Sequence, residues 1–176
     1  MPLQHIIPSK ARRKILELFF QHPTESFYLR LDILSEEKVL HKERRLNKIF
    51  YTLNKHYSFY DEFLRIFSKM SFLPNLIYKN LSKIGKIKFI AMSMKFAKRI
   101  PIKEDEIYLL LVGVIVVPEM ASIIAETEKQ YGTEINYTVM TEDELAFRKK
   151  NNDPFIWRFL RQPKIMLVGF EEELMK

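Results

Sequence analysis

The sequence predicts an α+β protein built in two parts, and three observations carry that expectation. Apolar spacing is mostly helical as far as Gly85 and then gives way to short aliphatic runs alternating with helical stretches. Charge is uneven: residues 1–88 hold 17 Lys and Arg against 8 Asp and Glu, and residues 89–176 hold 12 against 14, so the net +7 divides into +9 and −2. Composition, at 47% hydrophobic and 29% charged, is that of a folded chain, and 176 residues suffice for one sizeable core or two small ones.

Ser9 is placed to cap a first helix whose buried side is Ile15, Leu16, Leu18, Phe19 and Phe20, and His22-Pro23 ends it. "SFYLRLDIL" reads as a second short helix. Val39 to His41 and Lys48 to Leu53 are β-prone, and the charged "KERRLN" between them makes a hairpin with a basic tip. Tyr57, Tyr60, Phe63, Leu64 and Phe67 recur at helical spacing, and "PNLIYKNLSKIG" continues as a helix closed by Gly85. "KIKFIAM" and "IYLLLVG" are strands, the second apolar enough for the centre of a sheet. Pro118 and Gly132 bracket the next helix. "EINYTVM" is a strand, "TEDE" a capping box, Asp153-Pro154 a helix start and "KIMLVG" a last strand.

Composition also excludes classes of function. No run of about 18 apolar residues is present, so no membrane span is expected. The first residues lack the order of a secretory signal, and with no cysteine there are no disulfides or thiolate metal sites. A cytoplasmic protein is the expectation. The basic half points to a polyanion, with Arg12, Arg13, Lys14, Arg30, Lys42, Arg44, Arg45 and Lys48 as its candidate contacts. Phe19, Phe20, Phe63 and Phe67 read as core, Tyr51 as the aromatic least committed to burial, and Trp157 as an anchor between its helix and the sheet. The four histidines are scattered without metal-ligand spacing.

The order "ARRKILELFFQHP", "SFYLR", "KIFYTLNKHYSFYDEF", "IGKIKFI", "LLLVG", "EINYTVMTEDE" and "DPFIWRFLRQPKIMLVG" resembles prokaryotic transcriptional regulators with an N-terminal winged helix and a C-terminal nucleotidyltransferase-like domain. The resemblance spans nearly the whole chain and is most specific from Gly85 to Gly169. It implies a winged-helix-like DNA-binding domain over 1–70, a connecting helix over 71–84, and over 85–176 a small α/β nucleotidyltransferase-like domain with a mixed sheet. The first domain is shortened: Arg30 runs almost directly into "LDILSEEKV", where a turn and recognition helix would precede the wing.

Active members of that superfamily carry Gly-Ser for phosphates and Asp-x-Asp for magnesium. Aligned through "KFAKR" and "LLLVG", those positions hold Met94 and Lys95, then Glu106 and Tyr108. A methionine side chain obstructs the close approach of phosphate that glycine permits, and Tyr108 supplies no second carboxylate. The resemblance therefore implies a degenerate site with no catalysis, cofactor or metal. Glu104 and Glu106, two apart on a strand, would share one face as a displaced metal site, although "KEDE" also reads as a solvated turn. The expectation is a DNA-binding transcriptional regulator, homodimeric on double-stranded DNA, whose second domain serves assembly or sensing. The helix from Tyr57 to Met70 is a candidate dimer face. A protein-interaction module that has lost DNA reading, and a nucleotidyltransferase, remain as alternatives.

Overall fold

The computed structural model describes residues 9–28, 38–46 and 48–176. The architecture is α+β, with nine helices and two sheets among the described residues. The chain divides into two compact units, Met1–Ser68 and Lys69–Lys176. Residues 71–84, expected to be a connector, therefore belong with the second unit.

In the first unit, helix α1 (Lys10–Gln21) starts where the sequence places it, with the Ser9 hydroxyl accepting from the Arg12 N–H at 3.4 Å. Its periodicity buries Leu16, Phe19 and Phe20, while Ile15 and Leu18 are only partly covered. Strands β1 (Ser26–Tyr28), β2 (Leu40–Arg45) and β3 (Lys48–Leu53) form an antiparallel sheet in the order β1-β3-β2. Strand β1 corrects the expected helix: Ser26 pairs with Thr52 and Phe27 with Tyr51, so sheet partners override the local pattern. The rest of "SFYLRLDIL" lies outside the described residues.

The basic hairpin forms, with a different division of its residues. Lys42, Glu43, Arg44 and Arg45 are strand residues rather than a loop, because pairing with β3 continues as far as Arg45 opposite Lys48. Helix α2 (Tyr60–Lys69) starts after Tyr57 and covers the unit's core. Phe20 stacks on Phe67 at 5.2 Å between centroids and meets Phe63 edge-on at 5.6 Å. The apolar side of α2 is thus consumed within its own unit, which removes it as the expected dimer face.

In the second unit the continuous helix expected up to Gly85 is two, α3 (Phe72–Lys79) and α4 (Leu81–Ile84), separated at Asn80. Asn80 accounts for the break, since its side-chain amide donates to the Leu76 carbonyl at 3.0 Å. Strand β4 (Gly85–Ser93), helix α5 (Met94–Ala97), β5 (Leu109–Ile115), α6 (Val117–Tyr131), β6 (Tyr137–Met140), α7 (Glu142–Lys150), α8 (Pro154–Arg161), β7 (Lys164–Val168) and α9 (Glu171–Met175) follow. Gly85 closes α4 as its C-cap, as expected, and also opens β4. The sheet order is β6-β5-β4-β7, with β5 and β6 parallel and the other pairs antiparallel, a mixed sheet.

Alternation along β4 and β5 sends Phe89, Ala91, Leu110 and Val112 into a core with Leu145, Ile156, Phe159, Leu160 and Leu174. Ile90, Met92, Leu109 and Leu111, on the opposite side, are equally buried, so both faces are covered. The Asp153 cap forms as expected, and of the expected capping box at Thr141 the hydroxyl half forms while the Glu144 carboxylate goes to Arg148. Thr141 Oγ1 accepts from the Glu144 N–H at 3.1 Å, and Asp153 Oδ1 accepts from the Phe155 N–H at 2.8 Å. Glu144's carboxylate takes Arg148 Nε at 2.9 Å.

Candidate functional site

Each unit holds one set of candidate residues. In the first, Arg12, Arg13 and Lys14 occupy the opening turns of α1, with Arg12 and Lys14 exposed and Arg13 half-buried. Lys42, Arg44 and Arg45 lie on β2 and Lys48 on β3, all exposed. Arg30 falls outside the described residues.

Register decides what these cations share. Lys42 and Arg44 stand opposite Tyr51 and Ile49, on the face whose other members, Leu40, Tyr51 and Leu53, are buried. Arg45 and Lys48 lie on the opposite face with Phe50, so the hairpin offers cations on both faces. Arg45 is partly neutralised, because Nη2 binds Glu43 Oε2 at 2.7 Å and the guanidinium lies 5.4 Å from the Phe50 ring. That hydrogen bond holds the Glu43 carboxyl below its usual range. Tyr51, expected to be the least buried aromatic, is 1% exposed: the core-facing side of the central strand claims it. Leu46 projects from the turn 95% exposed, at a φ of 53°.

In the second unit, Met94 and Lys95 begin α5 directly after β4, where Ser93 Oγ accepts from the Lys95 N–H at 3.1 Å. Glu106 and Tyr108 lie just ahead of β5, in loop rather than strand. Lys95 Nζ reaches Glu106 Oε1 at 2.6 Å and Oε2 at 2.8 Å. The same carboxylate accepts the Lys103 N–H at 3.0 Å and Gln162 Nε2 at 3.2 Å. These donors, Lys95 foremost, bring the Glu106 carboxyl down to about 2. Tyr108 is buried and donates its hydroxyl to the Ile100 carbonyl at 3.0 Å, and burial raises its phenol above the usual range.

Glu104 is exposed in a turn, so it does not share a strand face with Glu106 as the displaced metal reading required. Among the described residues no group of three His, Asp or Glu side chains gathers as a metal site would. A cavity of about 570 Å³ lies beside the site, lined by Glu104, Glu106, Glu128 and Glu134 over Ile124 and Phe155. Its carboxylates set a field that repels phosphate.

The Lys95–Glu106–Gln162 cluster carries no signal in the sequence. Its members stand 11 and 56 residues apart, and only the fold brings them together. The Arg158–Asp105 ion pair, which ties the same loop to α8, is equally silent. Trp157 anchors as expected, packed on the core with its indole N–H donating to the Lys149 carbonyl at 3.3 Å. No protein family, curated protein or solved structure matches the chain. No helix of the described residues is long and apolar enough to cross a membrane.

Proposed function

We propose that the chain is a DNA-binding transcriptional regulator, with a winged-helix-like first unit and a nucleotidyltransferase-like second unit that serves assembly or sensing without chemistry. The observation that carries this reading is the β2–β3 hairpin, which carries exposed Lys42, Arg44, Arg45 and Lys48 on a chain of net charge +7. Such a hairpin can follow a groove and contact phosphates from both faces, with Arg12 and Lys14 adding charge at the start of α1.

The second unit supports a non-catalytic reading. Glu106, the one acid at the positions where the resembling family holds magnesium, is occupied by Lys95, Lys103 and Gln162. Its partner position is a tyrosine whose hydroxyl is bound to Ile100, and the neighbouring cavity is acidic. Metal-assisted nucleotidyl transfer needs carboxylates free to take the ion. A homodimer on paired half-sites would suit the regulator, on a surface other than the apolar side of α2.

The test is fluorescence anisotropy of labelled duplex DNA across a salt series, comparing the unaltered chain with Arg44→Ala/Arg45→Ala. Phosphate contacts predict binding that weakens with salt, with a slope reduced by about 0.9 for each phosphate that the variant leaves without a cation. An unchanged slope in the variant refutes the hairpin as the phosphate-binding element. Absence of binding at low salt refutes DNA as the partner and leaves a protein-interaction module, which exposed Leu46 would suit.

A further inference from the structure

A second cavity of the Lys69–Lys176 unit lies apart from both sets of candidate residues. It is a partly open cavity of about 400 Å³ against β4, α7, α8 and α9, within the range of pockets that hold small organic ligands. Its lining is part apolar and part charged: Phe89 and Leu145 are core residues, Trp157 is half-buried, and exposed Met175 comes from α9. Two lysines, Lys149 and Lys150 at the end of α7, are among its lining residues. Glu142 and Lys176, both exposed, also line it and offset each other in charge.

Lys149 is held in place from two directions. Its Nζ donates to the Leu174 carbonyl at 2.9 Å, and its own carbonyl accepts the Trp157 indole N–H. Neither Lys149 nor Lys150 forms an ion pair among the described residues, whereas Arg148, just before them, is held by Glu144 and Asp153. Partial burial pushes the Lys149 ammonium below the usual lysine range. An anion supplied from outside would restore what burial removes, and an apolar body on that anion would match the walls.

We infer that this cavity binds a small organic anion: a carboxylate on an aliphatic or aromatic body, its head on Lys149 and Lys150 and its body against Trp157, Phe89 and Leu145. The site gives the second unit a ligand class to sense, and it rests on this unit's geometry rather than on the first unit's contact with DNA.

The chain has a single tryptophan, and it lines the cavity, so its fluorescence reports occupancy. The experiment titrates the full chain with octanoate, octanamide and octylamine, compounds of one length that differ in head-group charge. The expected result is a saturable change in Trp157 emission with octanoate at millimolar concentration or below, and none with octanamide or octylamine. Lys150→Ala, at an exposed position, should weaken octanoate binding several-fold, and Lys149→Met by about tenfold. Equal responses to octanoate and octanamide, or the absence of a saturable response to octanoate, would overturn the inference. So would octanoate binding left unaltered by Lys150→Ala and Lys149→Met. Because the head-group series uses the unaltered chain, a misfolded variant cannot mask the answer, and DNA binding measured separately stands or falls by itself.

Discussion

Replacing Lys95 by methionine should destabilise the second unit through Glu106. The lysine stem is kept in size while the ammonium is lost, and the Glu106 side chain, 9% exposed, is left with only part of its hydration. A carboxyl held at about 2 instead of 4.5 carries a preference of about 3 kcal/mol for its charged, folded form. Lys95 is the largest cause, but Lys103 and Gln162 stay in place, and the Lys95 side chain is itself 34% exposed. Solvent screening and the remaining donors bring the expected loss to about 1–2 kcal/mol at pH 7.

The pH dependence follows from the direction of the shift. Glu106 has a folded pKa below its unfolded value, so its contribution is complete above about pH 4.5 and disappears as pH falls toward about 2. The gap between the unaltered chain and Lys95→Met should therefore be full at pH 7 and narrow progressively between pH 5 and pH 3. Urea denaturation followed by Trp157 emission measures it, since the one tryptophan lies in this unit. Lys95→Met/Glu106→Gln should recover most of the loss, because it removes the stranded charge along with its partner. A gap under about 0.5 kcal/mol at pH 7, or one that does not narrow in acid, refutes the ion pair as a structural element.

Four further outcomes are expected. Glu43→Gln releases Arg45 from its carboxylate and should tighten DNA binding at low salt and steepen the salt slope by up to about 0.9; weaker binding in the anisotropy assay would count against Arg45 as a phosphate contact. Gly113→Ala places a methyl group against the Lys86 carbonyl at a φ of 141°, beside the irregular register between Ile87 and Phe89, and should cost about 3 kcal/mol in the Trp157-monitored transition. Phe20→Ala empties a site 1% exposed and stacked on Phe67, so thermal unfolding by circular dichroism should show a loss of about 3–5 kcal/mol from the first unit; Thr141→Ala should cost only about 1 kcal/mol at the start of α7.

Legibility followed the range of the interaction that decides each element. Ser9, Thr141, Asp153-Pro154 and Gly132 act within one helical turn, and each marks its boundary as the residues alone indicate. Strands β4, β5 and β7 are apolar enough to announce themselves. Strand β1 is not: three residues have no period, and Ser26–Tyr28 is extended because β3 lies beside it. Tyr51 misled for the same reason. An aromatic beside a basic turn looks like a surface residue until pairing shows that β3 is the middle strand, with β1 and β2 on either side.

The hairpin and the Lys95–Glu106 pair carry the same lesson into function. Counting charges located a basic half, yet contact with a polyanion depends on which cations share a face and which already hold a partner. Pairing separates Lys42 and Arg44 from Arg45 and Lys48, and Glu43 neutralises part of Arg45. In the second unit, the expectation of a degenerate site rested on Met94 and Tyr108 at positions aligned by a resemblance. The geometry adds what spacing does not show: Glu106 is engaged by a lysine 11 residues earlier and a glutamine 56 residues later. The carboxylate so engaged ties the loop ahead of β5 to α5 and to the residue that follows α8, and the pair holding the loop is itself a source of stability.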